Sequence, residues 1–370
     1  MTVRTSARRQ RVLIIGPSLR YLGGQAVQAQ RLCDGLRTTD GVQIEYLAVD
    51  PMLPRPFHVL QRVPILRTLA TSVAYAAQLF WKVPRFDVLH VFSASYLSFL
   101  IAPTPALIIG RLFGKRVLLN YHSGEADDHL TRWGWHAKPL LRLADLIVVP
   151  TEYLVEVFRR HGLEASAIAN HIDLKSMVLR ERGKVLPRFL SNRNFESHYN
   201  VGAVLSAFAH VQQQHPAAEL VVAGNGSLRA SLEAQSESLG LANVTFTGPV
   251  APAAMPALYA AADVYVNASL IDNMPLSLLE AYGSGLPVVT SDAGGIPWIA
   301  EHGRTALVVP AGDVDALANA MLDCVRHSDS AQVRARCALD FVAQRFIWSA
   351  VRDKWLRAYG VEPGATSTAT

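Results

Sequence analysis

Two carboxylates lie eight positions apart in the segment SLIDNMPLSLLEAYGSGLPVV, which runs from Ser269 to Val289. Asp272 stands ahead of Pro275, a residue that suits the first turn of a helix, and Glu280 falls well inside the helix that should follow. The acids could form part of a binding site, but an aspartate just before a helix can also be a plain cap. Both interpretations are open for Asp272.

The predicted helix is apolar almost all round, and its polar residues Ser277, Glu280 and Ser284 recur at i, i+3 and i+7. This spacing places them on one narrow stripe, which faces either solvent or a polar cleft. A solvent-facing helix normally carries more charge. The pattern therefore favours the cleft.

Two further side chains stand at the ends of strand-like runs. Arg193 lies at the end of the strand in RFLSNRNF (188–195), where a guanidinium can hold a diphosphate in a bidentate manner or form an ordinary surface ion pair. His122 directly follows the strand in RVLLNYHS (116–123), where an imidazole can hydrogen-bond a ligand, orient an acceptor hydroxyl or serve only structure. Ligands of open α/β sheets bind at the carboxyl ends of the strands, so both are candidate site residues.

Glycines follow strands at two places. Gly23 and Gly24 open a helix after the first strand, where backbone N–H groups can approach an anion without a Cβ in the way. Gly224, in AGNGS (223–227), could do the same at another strand-to-helix turn, although both sites also suit ordinary turns. The first loop is not GxGxxG, so Asp50 is not expected to serve an NAD site.

Metal chemistry finds little support in the sequence. Asp313 and Asp315 form a DxD pair, but they lie at a predicted helix start, where aspartate is favoured as a cap. The three cysteines, Cys33, Cys324 and Cys337, match no zinc or CxxC spacing. We therefore expect no metal site and reduced thiols.

The elements that must position these residues follow a regular alternation of strand-length apolar runs and helical segments. Near-continuous Val, Ile and Leu runs are typical of parallel strands with helices on both faces. Two successive series predict an α/β protein with two doubly wound, Rossmann-like domains facing across a cleft. The runs are 11–16, 42–49, 86–93, 116–123 and 145–151, then 188–195, 218–224, 243–248, 263–269, 286–291 and 306–310.

Charge is unevenly distributed. Residues 1–160 carry 20 Lys and Arg against 11 Asp and Glu, whereas residues 161–370 carry 15 against 19. A basic N-terminal half suggests an anionic partner, either a phosphate-bearing acceptor or an anionic membrane, and is equally compatible with solubility alone. The arginines are not interleaved with stacking aromatics, so no nucleic acid is expected.

Targeting signals and membrane spans are not expected. The first eleven residues are basic and lack the apolar core of a secretory signal, which favours the cytoplasm. The apolar stretch from Ser95 to Gly114 is broken by Pro103 and Pro105, which favours a buried helix over a membrane span.

From about Arg11 to Gly360, these segments together resemble the family 4 retaining glycosyltransferases, which have the two-domain GT-B fold. The likeness is strongest over residues 263–312, DVYVNASLIDNMPLSLLEAYGSGLPVVTSDAGGIPWIAEHGRTALVVPAGD. The resemblance implies an acceptor-side domain at 1–170, a nucleotide-sugar-binding domain at 171–345 and a helix at 346–360 returning to the first domain. Residues 361–370 are predicted to be a disordered tail.

The resemblance also implies roles for the donor-binding residues. Glu280 would hold the ribose hydroxyls of a nucleotide-sugar donor, and Asp272 would contact the donor sugar. Arg193 would bind the diphosphate. Backbone N–H groups of four consecutive residues at the helix start would face the sugar and diphosphate: Asn273, Met274, Pro275 and Leu276.

In the N-terminal half, the resemblance implies that Gly23 and Gly24 let the first loop approach the diphosphate. His122 would lie beside the reacting sugar. No metal or other cofactor is expected, because arginine and helix N-termini would neutralise the leaving diphosphate.

The sequence departs from the family pattern at two places. The family has a glutamate where this chain has Asp272, which is one methylene shorter. The family also has a lysine about five residues after the arginine, where this chain has His198 or Tyr199, neither a fixed cation. A misplacement of about 1 Å can cost on the order of 10²-fold in rate.

The leading hypothesis is a cytoplasmic retaining glycosyltransferase, associated with the inner face of a membrane if its acceptor is lipid-linked. It would move a sugar from a nucleoside diphosphate to an acceptor hydroxyl in glycan, polysaccharide or glycolipid biosynthesis. The alternative is a non-catalytic nucleotide-sugar-binding subunit of a glycosyltransferase complex. A nucleotide-sugar epimerase on the same fold is a further alternative, which the DNMP and LLEA residues disfavour.

Overall fold

The computed structural model describes residues 9–18, 23–52 and 64–363. The chain divides into a first unit, Met1–Ala169 with Val351–Thr370, and a second unit, Asn170–Ala350. Each unit contains one six-stranded sheet. Most of the predicted disordered tail, from residue 364 onward, lies outside the described residues.

The first unit has an all-parallel sheet with the strand order β2-β1-β3-β4-β5-β6. Helices cover both faces, so β3 is buried along its whole length. The strands are β1 (Gln10–Gly16), β2 (Val42–Ala48), β3 (Val88–Ser93), β4 (Arg116–Tyr121), β5 (Leu146–Val149) and β6 (Ser166–Ala167). The helices are α1 (Gly24–Arg37), α2 (Pro64–Lys82), α3 (Tyr96–Ile101), α4 (Pro103–Leu112), α5 (Ala126–Arg132), α6 (Gly134–Leu141) and α7 (Glu152–Arg160).

The second unit also has an all-parallel sheet, with the order β12-β11-β10-β7-β8-β9. Its strands are β7 (Arg188–Ser191), β8 (Glu219–Ala223), β9 (Val244–Gly248), β10 (Val264–Asn267), β11 (Val288–Ser291) and β12 (Leu307–Val309). The helices are α8 (Val201–Gln214), α9 (Arg229–Ser238), α10 (Met255–Ala261), α11 (Leu276–Gly283), α12 (Val314–Arg326) and α13 (Ser328–Arg345). The final helix, α14 (Trp348–Ala358), begins in the second unit and belongs to the first unit from Val351 onward. The prediction of two doubly wound α/β domains is confirmed.

The apolar stretch 95–114 differs from its prediction. It forms two helices, because Pro103 has no N–H to continue α3 and instead begins α4. Leu97 on α3 and Ile108 on α4 are 60% and 49% exposed. The prediction of a buried helix is therefore wrong for the side of these two helices that carries them. Among the described helices, none is long and apolar enough to cross a membrane.

The cap interpretation of the DxD pair is confirmed. Asp313 is the N-cap of α12, and its carboxylate accepts a hydrogen bond from the backbone N–H of Ala316 at 2.8 Å. Aspartate at this position also offsets the positive end of the helix dipole.

A buried aspartate ties β10 to the segment that enters the second unit. The Asp263 carboxylate is 1% exposed and contacts Arg180 at 2.6 Å and Arg188 at 2.5 Å. Arg182 lies 3.6 Å away and donates hydrogen bonds to the carbonyls of Tyr259 and Ala262. Burial lowers the pKa of Arg182 to about 10.

We predict that Asp263→Ala destabilises the second unit by about 3–5 kcal/mol, because it leaves the buried guanidinium of Arg182 and the partly buried ones of Arg180 and Arg188 without their carboxylate. Urea unfolding at neutral pH measures the effect. Asp329→Ala, an exposed aspartate in the first turn of α13, is the matched control and should change stability by less than about 0.5 kcal/mol. Equal unfolding midpoints for the two variants would contradict the prediction.

A buried histidine ties the end of the chain to the first sheet. His90, on β3, has no exposed surface, and its Nδ1 lies 2.8 Å from the hydroxyl of Tyr359. The side-chain amide of Asn120 donates to Nε2 at 3.0 Å, and the ring of Trp355 packs 4.9 Å away. Burial, together with the neighbouring His122, lowers the pKa of His90 to about 3.

This pKa predicts a loss of stability in acid. The folded pKa lies below the ordinary value of about 6.5, so the unfolded chain takes up the proton first as pH falls. The contribution is intact above about pH 6.5 and decreases below it, by roughly 2 kcal/mol at pH 5. In urea unfolding between pH 7.5 and 5, His90→Gln should lose less stability than the wild type. Parallel pH profiles would show that His90 is not responsible.

Candidate functional site

The candidate site lies where the strand order of the second sheet reverses. β7 is the first strand of this unit along the chain, and β10 lies beside it although two strands intervene in sequence. Open α/β sheets bind ligands at such a switch point, beyond the carboxyl ends of the strands. Arg193 follows β7 by two residues and Asp272 follows β10 by five, so the topology brings these two predicted site residues together.

Arg193 is held by an ion pair, a hydroxyl and an aromatic ring. Its Nη2 contacts the carboxylate of Asp272, and its Nη1 donates to Ser277 Oγ at 3.1 Å. The guanidinium lies over the ring of Tyr199, 4.2 Å from the ring centre. Desolvation lowers the pKa of Arg193, but Asp272 and the surrounding tyrosines outweigh it, so the pKa is raised overall.

One donor of Arg193 is left over. Its Nε is buried and has no hydrogen-bond partner among the described residues. A buried donor without a partner costs roughly 1–3 kcal/mol, so an anionic or carbonyl oxygen placed here would recover that cost.

Gly224 positions Arg193. Its φ is +148°, and a Cβ at this residue would lie 2.4 Å from the carbonyl oxygen of Arg193. Gly226 approaches the carbonyl of Phe195 in the same way, at 2.5 Å. The glycines of the AGNGS turn therefore allow close approach of the backbone of Arg193 and Phe195, where the sequence suggested close approach of a ligand. The sequence did not reveal this contact.

A second glycine pair packs on the loop that carries Asp272. A Cβ on Gly294 would lie 2.2 Å from the Asp272 carbonyl oxygen, and a Cβ on Gly295 would lie 2.3 Å from that of Asn273. The N–H of Gly295 donates to the Asp272 carbonyl at 2.9 Å. The reasoning applied to Gly23 and Gly24 could have found this pair, since it too follows a strand.

Asp272 does not cap α11. The residue before the helix is Pro275, with no side-chain cap, and Asp272 Oδ1 instead accepts a hydrogen bond from the N–H of Asn273 at 2.9 Å. The N–H of Asn273 is therefore already used, and Pro275 has no N–H. Of the four residues predicted to offer backbone donors to a ligand, Met274 and Leu276 remain. Within this loop, Asn273 and Met274 are buried.

The polar stripe of α11 is buried, and its members have different neighbours. Ser277 accepts from Arg193 and lies 2.7 Å from the hydroxyl of Tyr265, which donates to it. Glu280 accepts a hydrogen bond from Tyr259 at 2.8 Å. Ser284, in contrast, lies against the sulfur of Met177, so only the first two residues belong to the site.

Two buried tyrosines complete the site. The side-chain amide of Asn192 donates to the Tyr259 hydroxyl at 2.7 Å, so that this hydroxyl is free to donate onward to Glu280. Burial, followed by the charge of Glu280, raises the pKa of Tyr259 well above its ordinary value. Burial raises the pKa of Tyr265 to about 12. No sequence signal separated these tyrosines from ordinary core residues.

The remaining predicted residues meet within the first unit. The backbone N–H of His122 donates to the carbonyl of Ser93 at 3.3 Å. The side-chain amide of Gln25, next to Gly24, donates to the same carbonyl at 2.8 Å. His122 stacks on Phe92 at 5.4 Å, and burial lowers its pKa to about 4, so the imidazole is neutral at pH 7. Among the described residues, a Cβ on Gly23 or Gly24 would meet nothing within 4 Å.

Comparisons with known proteins agree with this architecture. A model of the glycosyl transferases group 1 matches residues 187–327, and a model of glycosyltransferase family 4 matches residues 22–176. The Anabaena protein HepE, in complex with UDP and glucose, superposes with a TM-score of 0.74 at 18% identity, covering 95% of this chain and 100% of that one. The fold is therefore the two-domain α/β GT-B fold.

The chain belongs to the group 1, family 4 glycosyltransferases. It is 26% identical over 326 residues to the sulfoquinovosyl transferase SQD2 of Arabidopsis thaliana, covering 81% of this chain and 60% of that protein. It is 33% identical over 153 residues to the alpha-monoglucosyldiacylglycerol synthase of Streptococcus pneumoniae, covering 41% of this chain and 33% of that protein. The chain thus spans less than two thirds of the length of these curated relatives.

We predict that Asp272→Asn increases the affinity for nucleoside diphosphates by roughly tenfold, because it removes the carboxylate that competes with a diphosphate for Arg193. The same change should lower the melting temperature, since it leaves the buried guanidinium without a counter-ion. Calorimetric titration with UDP, GDP and ADP measures the affinity.

Asp313→Asn is the control for the Asp272 variant, because it changes an aspartate of the same unit that only caps α12. It should leave nucleotide binding unchanged. Equal or weaker binding by Asp272→Asn would mean that the carboxylate does not compete with the ligand.

Proposed function

We propose that this protein is a retaining glycosyltransferase that moves a sugar from a nucleoside diphosphate to an acceptor hydroxyl in glycan, polysaccharide or glycolipid biosynthesis. The observation that carries the proposal is the convergence of Arg193, Asp272 and Glu280 at the switch point of the second sheet. A cation and two carboxylates in one buried site match the diphosphate and hydroxyl groups of such a donor.

Glu280 is the proposed ribose contact. Its carboxylate is 8% exposed, and the hydrogen bond from Tyr259 fixes its orientation. A carboxylate accepts hydrogen bonds from neighbouring hydroxyls, and such bonds to a charged acceptor are worth about 1.5–3 kcal/mol each.

Arg193 is the proposed contact of the leaving diphosphate. Its charge and its unused Nε–H would stabilise the negative charge that develops as the sugar–phosphate bond breaks. We propose that this stabilisation, assisted by the N–H groups of Met274 and Leu276, operates without a metal. Gly23 and Gly24 are the proposed approach of the first unit to the diphosphate.

The proposed chemistry is departure of the diphosphate from the same face on which the acceptor hydroxyl attacks. The new C–O bond forms as the sugar–phosphate bond breaks, and the hydroxyl proton passes to an oxygen of the departing diphosphate. Asp272 would hold the donor sugar, and the neutral His122 would hydrogen-bond near the reacting carbon. Because the pKa of His122 is lowered to about 4, its protonation state would stay constant between pH 6 and 9.

The proposed acceptor is a lipid or a lipid-linked glycan at the cytoplasmic face of a membrane. Two observations support it: the basic charge of residues 1–160, and the likeness to a relative whose name includes diacylglycerol. A soluble sugar acceptor is compatible with the same site chemistry.

The second candidate is a non-catalytic nucleotide-sugar-binding subunit. It is favoured by Tyr199, which stacks on Arg193 close to where the family places a second cation, and by Asp272, which already neutralises the guanidinium. Both features weaken the stabilisation of a leaving diphosphate.

Nucleotide release from a panel of UDP-, GDP- and ADP-sugars tests the proposal. With at least one donor and a lipid or glycan acceptor, the wild type should release nucleoside diphosphate and form a product that keeps the anomeric configuration of the donor. Glu280→Gln keeps an acceptor for Tyr259 but loses the charge, so donor affinity should fall by roughly 10–100-fold.

Glu233→Gln is the matched control, because Glu233 lies on the outside of α9 in an ion pair with Arg229. It should behave like the wild type. Donor binding that depends on Glu280 without turnover would favour the subunit. Normal donor binding by Glu280→Gln would refute the site assignment.

A further inference from the structure

Helix α2 is apolar on two opposite sides. Its inner side packs into the core of the first unit, where Tyr75 and Leu79 are fully buried. Its outer side exposes Leu69 and Val73 by 63% and 62%, and Trp81 by 68%. Residues 69, 73, 77 and 80 are spaced by four and three, so they form one stripe along the helix. A solvated surface helix would normally carry charged side chains there.

The stripe continues onto the neighbouring helix. The ring of Phe80 meets that of Phe113 edge-on at 6.0 Å, and Leu112, just before it at the end of α4, is 67% exposed. We call this the apolar surface; it comprises Leu69, Val73, Phe80, Trp81, Leu112 and Phe113. Monomeric soluble proteins rarely expose a contiguous patch of this kind without a binding role.

Positive charge predominates around the apolar surface. Residues 51–124 contain eight Arg and Lys and one acid, Asp87, a net charge of +7 where the whole chain carries +5. Two of these cations pair with acids from neighbouring segments, Lys82 with Glu45 and Arg111 with Asp145. Arg67 on α2 is exposed, and Arg85 lies 4.6 Å over the ring of Trp81.

We propose that the apolar surface docks onto an anionic lipid bilayer, with α2 lying parallel to the membrane plane. A helix of 19 residues is about 28 Å long, and its exposed stripe would insert into the boundary between headgroups and acyl chains. Tryptophan and arginine at the end of the stripe suit that boundary, and each nearby Lys or Arg adds attraction to anionic headgroups.

The charge argues against a second copy of this chain as the occupant. A symmetric dimer through the apolar surface would bring two surfaces of net positive charge together, at an electrostatic cost. A bilayer of anionic lipid satisfies both the apolar side chains and the surrounding cations.

Docking would bring the first unit to a lipid-linked acceptor, and in this respect it rests on the proposed function. The docking itself requires no donor, acceptor or turnover, so it can be measured apart from catalysis.

Cosedimentation of the full chain with vesicles tests the proposal. The wild type should partition at least tenfold more strongly into phosphatidylcholine–phosphatidylglycerol vesicles than into pure phosphatidylcholine, and less strongly as salt rises. The triple variant Leu69→Gln/Val73→Gln/Trp81→Gln should lose most of this binding. All three residues are exposed, so the variant should fold normally.

Leu186→Gln/Leu239→Gln/Val333→Gln is the matched control, since these residues are exposed apolar side chains of the second unit. It should bind vesicles like the wild type. Equal binding to neutral and anionic vesicles, or full binding by the first variant, would overturn the proposal. So would self-association in lipid-free sedimentation that the first variant abolishes, because the surface would then join two copies.

Nucleotide release measured on the same preparations separates the two proposals. Vesicle binding without sugar transfer from any donor would contradict the proposed function alone. Transfer to a soluble acceptor without vesicle binding would contradict the docking alone.

Discussion

The contact between Arg193 and Asp272 is the interaction around which the second unit arranges its candidate site. Each side chain is mostly buried and would be costly without the other, because an isolated charge in a protein interior loses its hydration. The pair also makes the site nearly neutral at this point before any ligand arrives. Under the proposed function, a diphosphate would share the guanidinium with a carboxylate, so Asp272 would influence both the affinity for the donor and the position of its sugar.

Ion pairs join strands β7 and β10 at both of their ends. Arg188 begins β7 and contacts Asp263, which immediately precedes β10, while Arg193 and Asp272 meet beyond the opposite ends. The pair of Arg188 and Asp263 lies at the amino ends of the strands, away from the candidate site, and Arg180 and Arg182 lie beside it. The other is left with a spare donor, since Arg193 Nε has no partner in the described part of the chain. Similar chemistry thus stabilises the fold at one edge and remains available to a ligand at the other.

The first unit separates two kinds of surface. The carboxyl edge of its sheet gathers His122, Gln25 and the carbonyl of Ser93 within hydrogen-bonding distance. The outer side of α2 carries exposed apolar side chains amid positive charge. Such a division suits a protein that handles polar sugar chemistry on one surface and meets an apolar, anionic partner on another, because neither environment has to be compromised for the other.

The sequence by itself determined the α/β class and the two successive domains. It also placed Arg193 and His122 just beyond the ends of strands, and Glu280 inside a helix that follows a strand. It could do so because apolar period and strand ends are local properties of a chain. Only the tertiary structure decided that Asp272 pairs with Arg193 and does not cap α11, that Gly224 packs on the arginine backbone, and that Tyr259 holds Glu280. These contacts join residues 21 to 79 positions apart. They depend on β7 and β10 becoming neighbours, and that strand order is set by packing across the whole sheet, which no local pattern encodes.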